Sequence, residues 1–259
     1  MSDAQPITGL TPDRVAPHAL VCGDPARIDR ITADWADAEE VCQVREYRVV
    51  KGTRGGIPMI AASHGIGAPG TAVLIEELVK LGVHTFLRIG NSGGLAPDLE
   101  LGDLVVTTGA VRDDGTTRSY VRAEYPAVAD HSIVAALLAA AADHGARCRA
   151  GITWSLDAFY MRNAVLQEDG SMGSMSVEGY WTGDHPQRIA DMRAARVLNC
   201  EMESGALLTL ANLFGVRAGC ICVVSDRTPW PGPAEIDLDN NMGQCIDIAL
   251  EAMGRVARS

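Results

Sequence analysis

No apolar run in this chain of 259 residues approaches the ~20 needed to cross a bilayer. Met1 is followed by polar residues, so no basic-then-apolar leader opens the sequence. These absences predict a soluble protein of the cytoplasm. Positive charge is also short: 22 Lys+Arg stand against 33 Asp+Glu, a formal net charge of −11. Nucleic acid and anionic membrane both require a basic face, so neither is expected as a main partner. A small anion remains open, because a site is local, and each arginine in so acidic a chain becomes conspicuous. Metal motifs are missing too. The seven cysteines (22, 42, 148, 200, 220, 222 and 245) lie mostly in apolar runs without CxxC spacing, and the six histidines form no HExxH. The expectation is buried, reduced thiols and no metal. His64, beside a glycine turn, is the one histidine to watch, with a structural role ahead of a catalytic one. There is no Pro/Ser linker and no internal repeat, and 47% hydrophobic content is ample for a core. Residues 1–259 therefore read as a single domain.

Short β-rich runs alternate with helical patterns. His18–Cys22 reads as a buried strand, and 47–51 with 57–62 as a hairpin around Gly55-Gly56. Residues 71–81 repeat apolar side chains at helical spacing up to Gly82. Strands are predicted at 85–89, 104–108, 151–155 and 219–225, and helices at 131–144, 203–214 and 240–257. Residues 161–186 show no clear period and read as a long loop or lid. This alternation predicts an α/β fold, a mixed central sheet in a three-layer α/β/α arrangement, with functional groups at the carboxyl ends of strands.

Three stretches read as parts of one site: Gly23-Asp24-Pro25-Ala26-Arg27, Arg88-Ile89-Gly90-Asn91-Ser92-Gly93-Gly94 and Glu201-Met202-Glu203-Ser204. The first two follow strand-like runs, and each pairs an expected tight glycine turn with an arginine. Glycine lets backbone approach an oxyanion closely, and a guanidinium grips it with two parallel hydrogen bonds. The third places two carboxylates at a helix opening, where one can accept from two adjacent hydroxyls. Phosphate plus a sugar diol is the simplest ligand pair that satisfies all three.

Two motifs are decoys on this reading. Gly65-Ile66-Gly67-Ala68-Pro69-Gly70 fits GxGxxG, but the following strand ends in Arg88-Ile89-Gly90-Asn91 without the acidic residue a dinucleotide site needs. A tight strand-to-helix turn is expected there. Gly90-Asn91-Ser92-Gly93-Gly94 fits GxSxG, but Leu95-Ala96-Pro97-Asp98 follows, where a nucleophile elbow requires a helix.

From about Gly9 to the C-terminal helix the chain resembles the nucleoside phosphorylase-I family, and within it the uridine phosphorylases. The likeness rests on 23–27, on Gly65-Ile66-Gly67-Ala68-Pro69 leading to Glu76-Glu77-Leu78, and on Thr85-Phe86-Leu87-Arg88-Ile89-Gly90. It also includes 124–130 (Glu124 to Asp130), Asp157-Ala158-Phe159-Tyr160 and Glu201-Met202-Glu203-Ser204. The resemblance implies phosphate held by Gly23, Arg27, Arg88, Asn91 and an Arg45 supplied by a neighbouring subunit. It implies ribose against Met202 with Glu203 gripping its 2′- and 3′-hydroxyls, and Phe159 near the base or sugar. Asn163, Asp226 and Arg227 fall at base-facing positions, and Arg88, Glu203, Asp226 and Arg227 at catalytic ones. Family members are homo-oligomers, usually hexamers built from dimers that share sites. Nucleoside and inorganic phosphate are then the partners, with phosphate as co-substrate and no cofactor or metal.

Four departures from the family pattern stand out. Asn91 replaces a Thr or Ser, and Ile7 falls near an early histidine that touches the 5′-hydroxyl. Asn163 and Val165 replace a Gln-x-Arg pair that reads uracil. Ser225-Asp226-Arg227 joins a purine-type aspartate to a uridine-type arginine, where a plain Asp–Arg ion pair is the alternative. The reading is a nucleoside phosphorylase, uridine-phosphorylase-like, with the base open between uracil, a purine and an unusual base. A purine nucleoside phosphorylase, a nucleosidase using water and a non-catalytic nucleoside-binding protein stand as alternatives.

Overall fold

A computed structural model describes residues 4–231 and 236–259. Met1 to Asp3, part of the single-domain reading, and residues 232–235 lie outside the described residues. In chain order the elements begin with β1 (His18–Cys22), α1 (Arg27–Ile31), β2 (Ala36–Val44), β3 (Tyr47–Arg54), β4 (Ile57–Ser63), α2 (Ala68–Lys80) and β5 (Thr85–Gly94). They continue with β6 (Leu104–Asp113), α3 (Gly115–Tyr120), β7 (Ala127–Val128), α4 (His131–Asp143), β8 (Cys148–Leu156), α5 (Phe159–Arg162), β9 (Ala164–Leu166) and β10 (Met172–Ser174). The last are α6 (His185–Ala194), β11 (Asn199–Glu201), α7 (Ser204–Phe214), β12 (Arg217–Arg227), β13 (Trp230–Pro231) and α8 (Met242–Arg258).

The main sheet runs β11-β8-β6-β12-β5-β1-β4-β3-β2, and β11 returns to pair with β5. It is mixed: β1 lies parallel to β4 and β5, β12 parallel to β5 but antiparallel to β6, and β2-β3-β4 antiparallel. Two cores cover its faces. One packs Ile28, Ile133, Leu137, Ile246 and Met253 from α1, α4 and α8. The other packs Leu74, Leu78, Leu207 and Leu210 from α2 and α7. This is the expected α/β architecture.

The helices begin and end where their local chemistry dictates. Gly67 holds φ 92 before α2, with a proline in its first turn. Asp130 caps α4 by accepting from the Ser132 and Ile133 N–H groups. Gly215 closes α7 in the left-handed region.

Two expectations are corrected, and strand β2 is an element the sequence reading does not include, because Asp37, Glu39 and Glu40 make it an acidic, exposed edge. Residues 161–186 are not one long loop: β9 pairs with β10 and with β13 in a small second sheet, and α6 starts within the span. Arg88–Gly94 is not a strand followed by a turn. It is the second half of β5, paired with β12 as far as Gly94↔Arg227.

The base of this added region is tied to one carboxylate. Buried Asp113, at the end of β6, accepts from Arg188 of α6 at 2.6 Å, Arg162 of α5 at 3.2 Å and the Trp154 indole of β8 at 3.1 Å. Asp113→Ala should therefore cost about 3 kcal/mol. That is the low end for a broken buried pair, because both arginines retain some solvent. Urea unfolding would measure the loss, and hydrogen exchange should show residues 159–194 opening ahead of the sheet. Unchanged stability would mean the arginines find other partners.

Candidate active site

The site is built along β5. Arg88 turns its side chain back along its own strand, so that a Cβ on Gly90 would coincide with the guanidinium. Glycine is required there for room; no turn is involved. The buried guanidinium donates to Glu203 and lies 3.5 Å from Glu201 and 3.4 Å from the Cys222 sulfur. Burial alone would pull its pKa down, but the two carboxylates outweigh burial and hold it well above the ordinary arginine value. Arg88 is thus a fixed charge.

Glu203 accepts from the Gly67 N–H at 2.6 Å with its other oxygen. Glu201 accepts from the N–H groups of Glu203 and Ser204 and, at 2.5 Å, from the Ser204 hydroxyl, so it caps α7. Burial raises the Glu201 pKa, against the pull of Arg88. Met202, between Glu201 and Glu203 in sequence, is half-buried. The groups expected to hold an anion and a diol therefore neutralise each other. A ligand that offers an oxyanion to Arg88 and hydroxyls to Glu203 would replace one contact with two.

Arg27 opens α1 and reaches across to β5. Its Nη1 donates to the Ile89 carbonyl at 3.0 Å and its Nη2 to Asn91 Oδ1 at 2.5 Å. Gly23 packs against the Gly65 turn, where a Cβ would lie 3.1 Å from the Gly65 carbonyl oxygen. Beside them is fully buried His64, with Nδ1 bonded to the Gly65 carbonyl at 2.8 Å. Burial and then the Arg88 charge lower its pKa to about 3, so it is neutral. The Gly65–Gly70 turn leads into α2 and holds no dinucleotide fingerprint. Ser92 is buried inside β5, donating to the Val223 carbonyl, which excludes a nucleophile elbow.

On the neighbouring strand, Asp226 follows a register shift in β12 and comes opposite Gly93. A Cβ on Gly93 would sit 2.9 Å from Asp226 Oδ2. The carboxyl accepts from the Ser225 hydroxyl at 3.0 Å, and burial raises its pKa from 3.8 to about 6. Among the described residues it makes no ion pair, so the expected Asp226–Arg227 alternative is not formed. Successive side chains of a strand point to opposite faces, and Arg227 is half-buried on the other side.

Phe159 opens α5, half-buried and edge-on to Tyr160 at 5.2 Å. Asn163 is buried. Its amide donates to the Phe159 carbonyl at 2.9 Å and accepts from the Thr228 hydroxyl at 2.6 Å. A buried amide must have partners, and here each end has one inside the protein, with one N–H and one carbonyl lone pair left over. Val165 lies in β9, opposite Gly173 and Trp230. Arg45 is exposed at the β2–β3 tip, with φ 55 and no hydrogen bond among the described residues. Sequence reasoning missed the capping role of Glu201 and the pairing of Thr228 with Asn163. An acidic residue three before Ser204 carried the only signal for the first.

A model of the phosphorylase superfamily matches residues 17–259. A uridine phosphorylase from Thermococcus kodakarensis is 44% identical, over 82% of this chain and 74% of its own length. A guanosine phosphorylase from Halorubrum lacusprofundi is 38% identical, over 91% of this chain and 92% of its own. A uridine phosphorylase from Escherichia coli strain K12 is 36% identical, over 96% of each.

The buried carboxyl of Asp226 gives a test in stability. A carboxyl whose pKa is raised on folding is protonated more tightly in the folded state, so folding loses stability as pH climbs from about 4 through about 6. Asp226→Asn removes that loss. The variant should match the wild type near pH 4 and exceed it by about 2–3 kcal/mol at pH 8, in chemical denaturation at the two pH values. Equal stability at pH 8 would mean the carboxylate is solvated or paired.

Proposed function

The chain belongs to the phosphorylase superfamily, and within it we propose a nucleoside phosphorylase, uridine-phosphorylase-like in sequence, that converts a nucleoside and phosphate to free base and pentose 1-phosphate. The observation that carries this reading is the convergence of Arg27, Arg88, Glu203 and Asp226 on one strip of β5. Phosphate would lie on Gly23, Arg27 and Arg88, and the sugar diol on Glu203 with Met202 against the ring. As the C1′–N bond breaks, its electron pair goes to the base and positive charge grows on the sugar. The phosphate stabilises that charge and then bonds C1′. The arginines fix the phosphate in line for attack, which removes much of its entropic cost. The reaction as proposed uses inorganic phosphate as co-substrate and no cofactor. A nucleosidase would leave the two arginines without an anion to hold. Seven unpaired cysteines suit the cytoplasm as its compartment.

The base has two readings. Uridine phosphorylases among the relatives favour uracil. The site residues favour a purine: Val165 cannot hydrogen-bond, and burial lifts the Asp226 pKa to about 6, toward the range of an acid that protonates purine N7. The guanosine phosphorylase among the relatives agrees with this second reading.

Release of base from a nucleoside panel, with and without phosphate, tests the whole. Activity should depend on phosphate. Arg88→Ala should raise the phosphate KM and cut kcat, since a charge-assisted contact to an oxyanion is worth about 1.5–3 kcal/mol. Uridine turnover should be weak, and Asp226→Asn should lose more on purines than on pyrimidines. Phosphate-independent cleavage would replace the reading with a nucleosidase. Efficient uridine turnover untouched by Asp226→Asn would settle the base as uracil.

We also propose a homo-oligomer, a hexamer built from dimers, in which Arg45 enters a neighbour's phosphate site. Its hairpin tip carries exposed Val44 and adjoins the Gly65 turn, where Ile66 is 82% exposed. Arg45→Ala and Glu203→Gln chains, each inactive, should regain activity when mixed, because each hybrid dimer holds one intact site. No recovery after verified subunit exchange would remove Arg45 from the site.

A further inference from the structure

Asn91 is the one phosphate-side position where this chain departs from the hydroxyl residue of the resemblance, and its side chain is already committed. Its amide orientation is not open to choice. Arg27 Nη2 can only donate, so the Asn91 atom facing it at 2.5 Å is the carbonyl oxygen. The Leu238 carbonyl can only accept, so the atom facing it at 2.9 Å is the amide nitrogen. Leu238 lies in a turn ahead of α8, where the Asp237 side chain accepts from the Asp239 and Asn240 N–H groups. The Asp237 N–H in turn donates to the Ser225 carbonyl, directly before Asp226. A second tie, Arg30 to Asp239 at 2.7 Å, joins α1 to the same turn, but both side chains are largely solvated and the pair is weak. The Asn91 amide is thus the inner link between the arginine of the phosphate side and the turn beside the base-side acid.

We propose that Asn91 is a positioning residue that sets the Arg27 guanidinium and couples it to the 237–240 turn, in place of direct donation to phosphate. The proposal rests on the phosphate site described above. Phosphate on Arg27 pins the guanidinium, which pins the Asn91 carbonyl, and the rigid amide plane then holds its nitrogen toward Leu238. Seating of the turn and binding of the anion favour each other by the same factor. A hydroxyl side chain cannot substitute. Its single oxygen stands near the amide carbon, ~1.2–1.3 Å short of either amide atom, and cannot span both partners. It would nevertheless donate well to an oxyanion in direct contact.

That difference makes Asn91→Thr the decisive variant, with Asn91→Ala beside it. Both should raise the phosphate KM about tenfold or more, with the nucleoside KM within about twofold of wild type. In wild type, saturating inorganic phosphate should slow amide hydrogen exchange in residues 236–241. In Asn91→Thr, at phosphate saturating for that variant, the slowing should vanish. A threonine variant with wild-type phosphate KM beside an impaired alanine variant would show direct contact and overturn the proposal. Retained phosphate-dependent protection in Asn91→Thr would overturn it as well. Calorimetric titration of the wild type with inorganic phosphate separates the two levels. Binding with either of those outcomes defeats the coupling alone, and no binding defeats the phosphate site and the coupling together.

Discussion

Burying the Arg88 guanidinium in the middle of a sheet is the constraint on which the rest of the site depends. A buried charge without partners costs several kcal/mol or more, and removing one partner of a buried pair is strongly destabilising. This chain answers with two carboxylates, and each brings its own requirement. Glu203 must be held by the Gly67 N–H, which fixes the turn before α2. Glu201 must be held by the opening of α7, which fixes that helix against β11. Such a pair is a poor device for stability, because apolar side chains of equal volume would do as well. Its value is a charge that is in place, desolvated and oriented before any ligand arrives.

The glycines of β5 follow from the same constraint. Gly90 makes room for Arg88 to lie back along its strand, and Gly93 makes room for Asp226 from the next. The return pairing of β11 on Gly93 and Gly94 carries Glu201, and Glu203 just beyond it, to the same strip. One strand thus collects groups from α1, α7 and β12, and the helices α2 and α7, whose N-terminal ends meet at Glu203, share a single core.

Much of this was legible in the residues. Apolar periodicity with glycine stops located α2, α4, α7 and α8 to within a few residues, because burial and capping act locally. The pairing of arginine with glycine at Arg27 and Arg88 identified two chain segments that do meet. The role of those glycines was not legible. Glycine satisfies both a positive φ and a close side-chain approach, and only the partner tells which: Gly65 and Gly67 have φ 72 and 92, whereas Gly90 and Gly93 stay extended in β5. The fate of Asn163 was equally hidden, since its partner Thr228 is 65 residues away. Edge strand β2 and helix α6 were missed because their exposed faces are polar and dilute the period that burial imposes.

Charge within the site explains why its parts must come from so many places. Arg27 and Arg88 are offset by Glu201 and Glu203, so the phosphate side is close to neutral before a ligand binds. On the proposed reading a phosphate dianion then enters a buried space beside Asp226. An ionised Asp226 would add a further like charge in low dielectric, which costs more there than in water. Two adjustments relieve this. On the proposed assembly an arginine from another chain would bring positive charge without enlarging this chain's own buried charge, and a proton on Asp226 would remove a negative one. The second also supplies what the departing base needs. Burial has already brought the Asp226 pKa to about 6, and a nearby anion acts in the same direction as burial. On the proposed reading the arriving phosphate would favour the proton on Asp226, so the group that attacks the sugar would also prepare the acid that protonates the departing base.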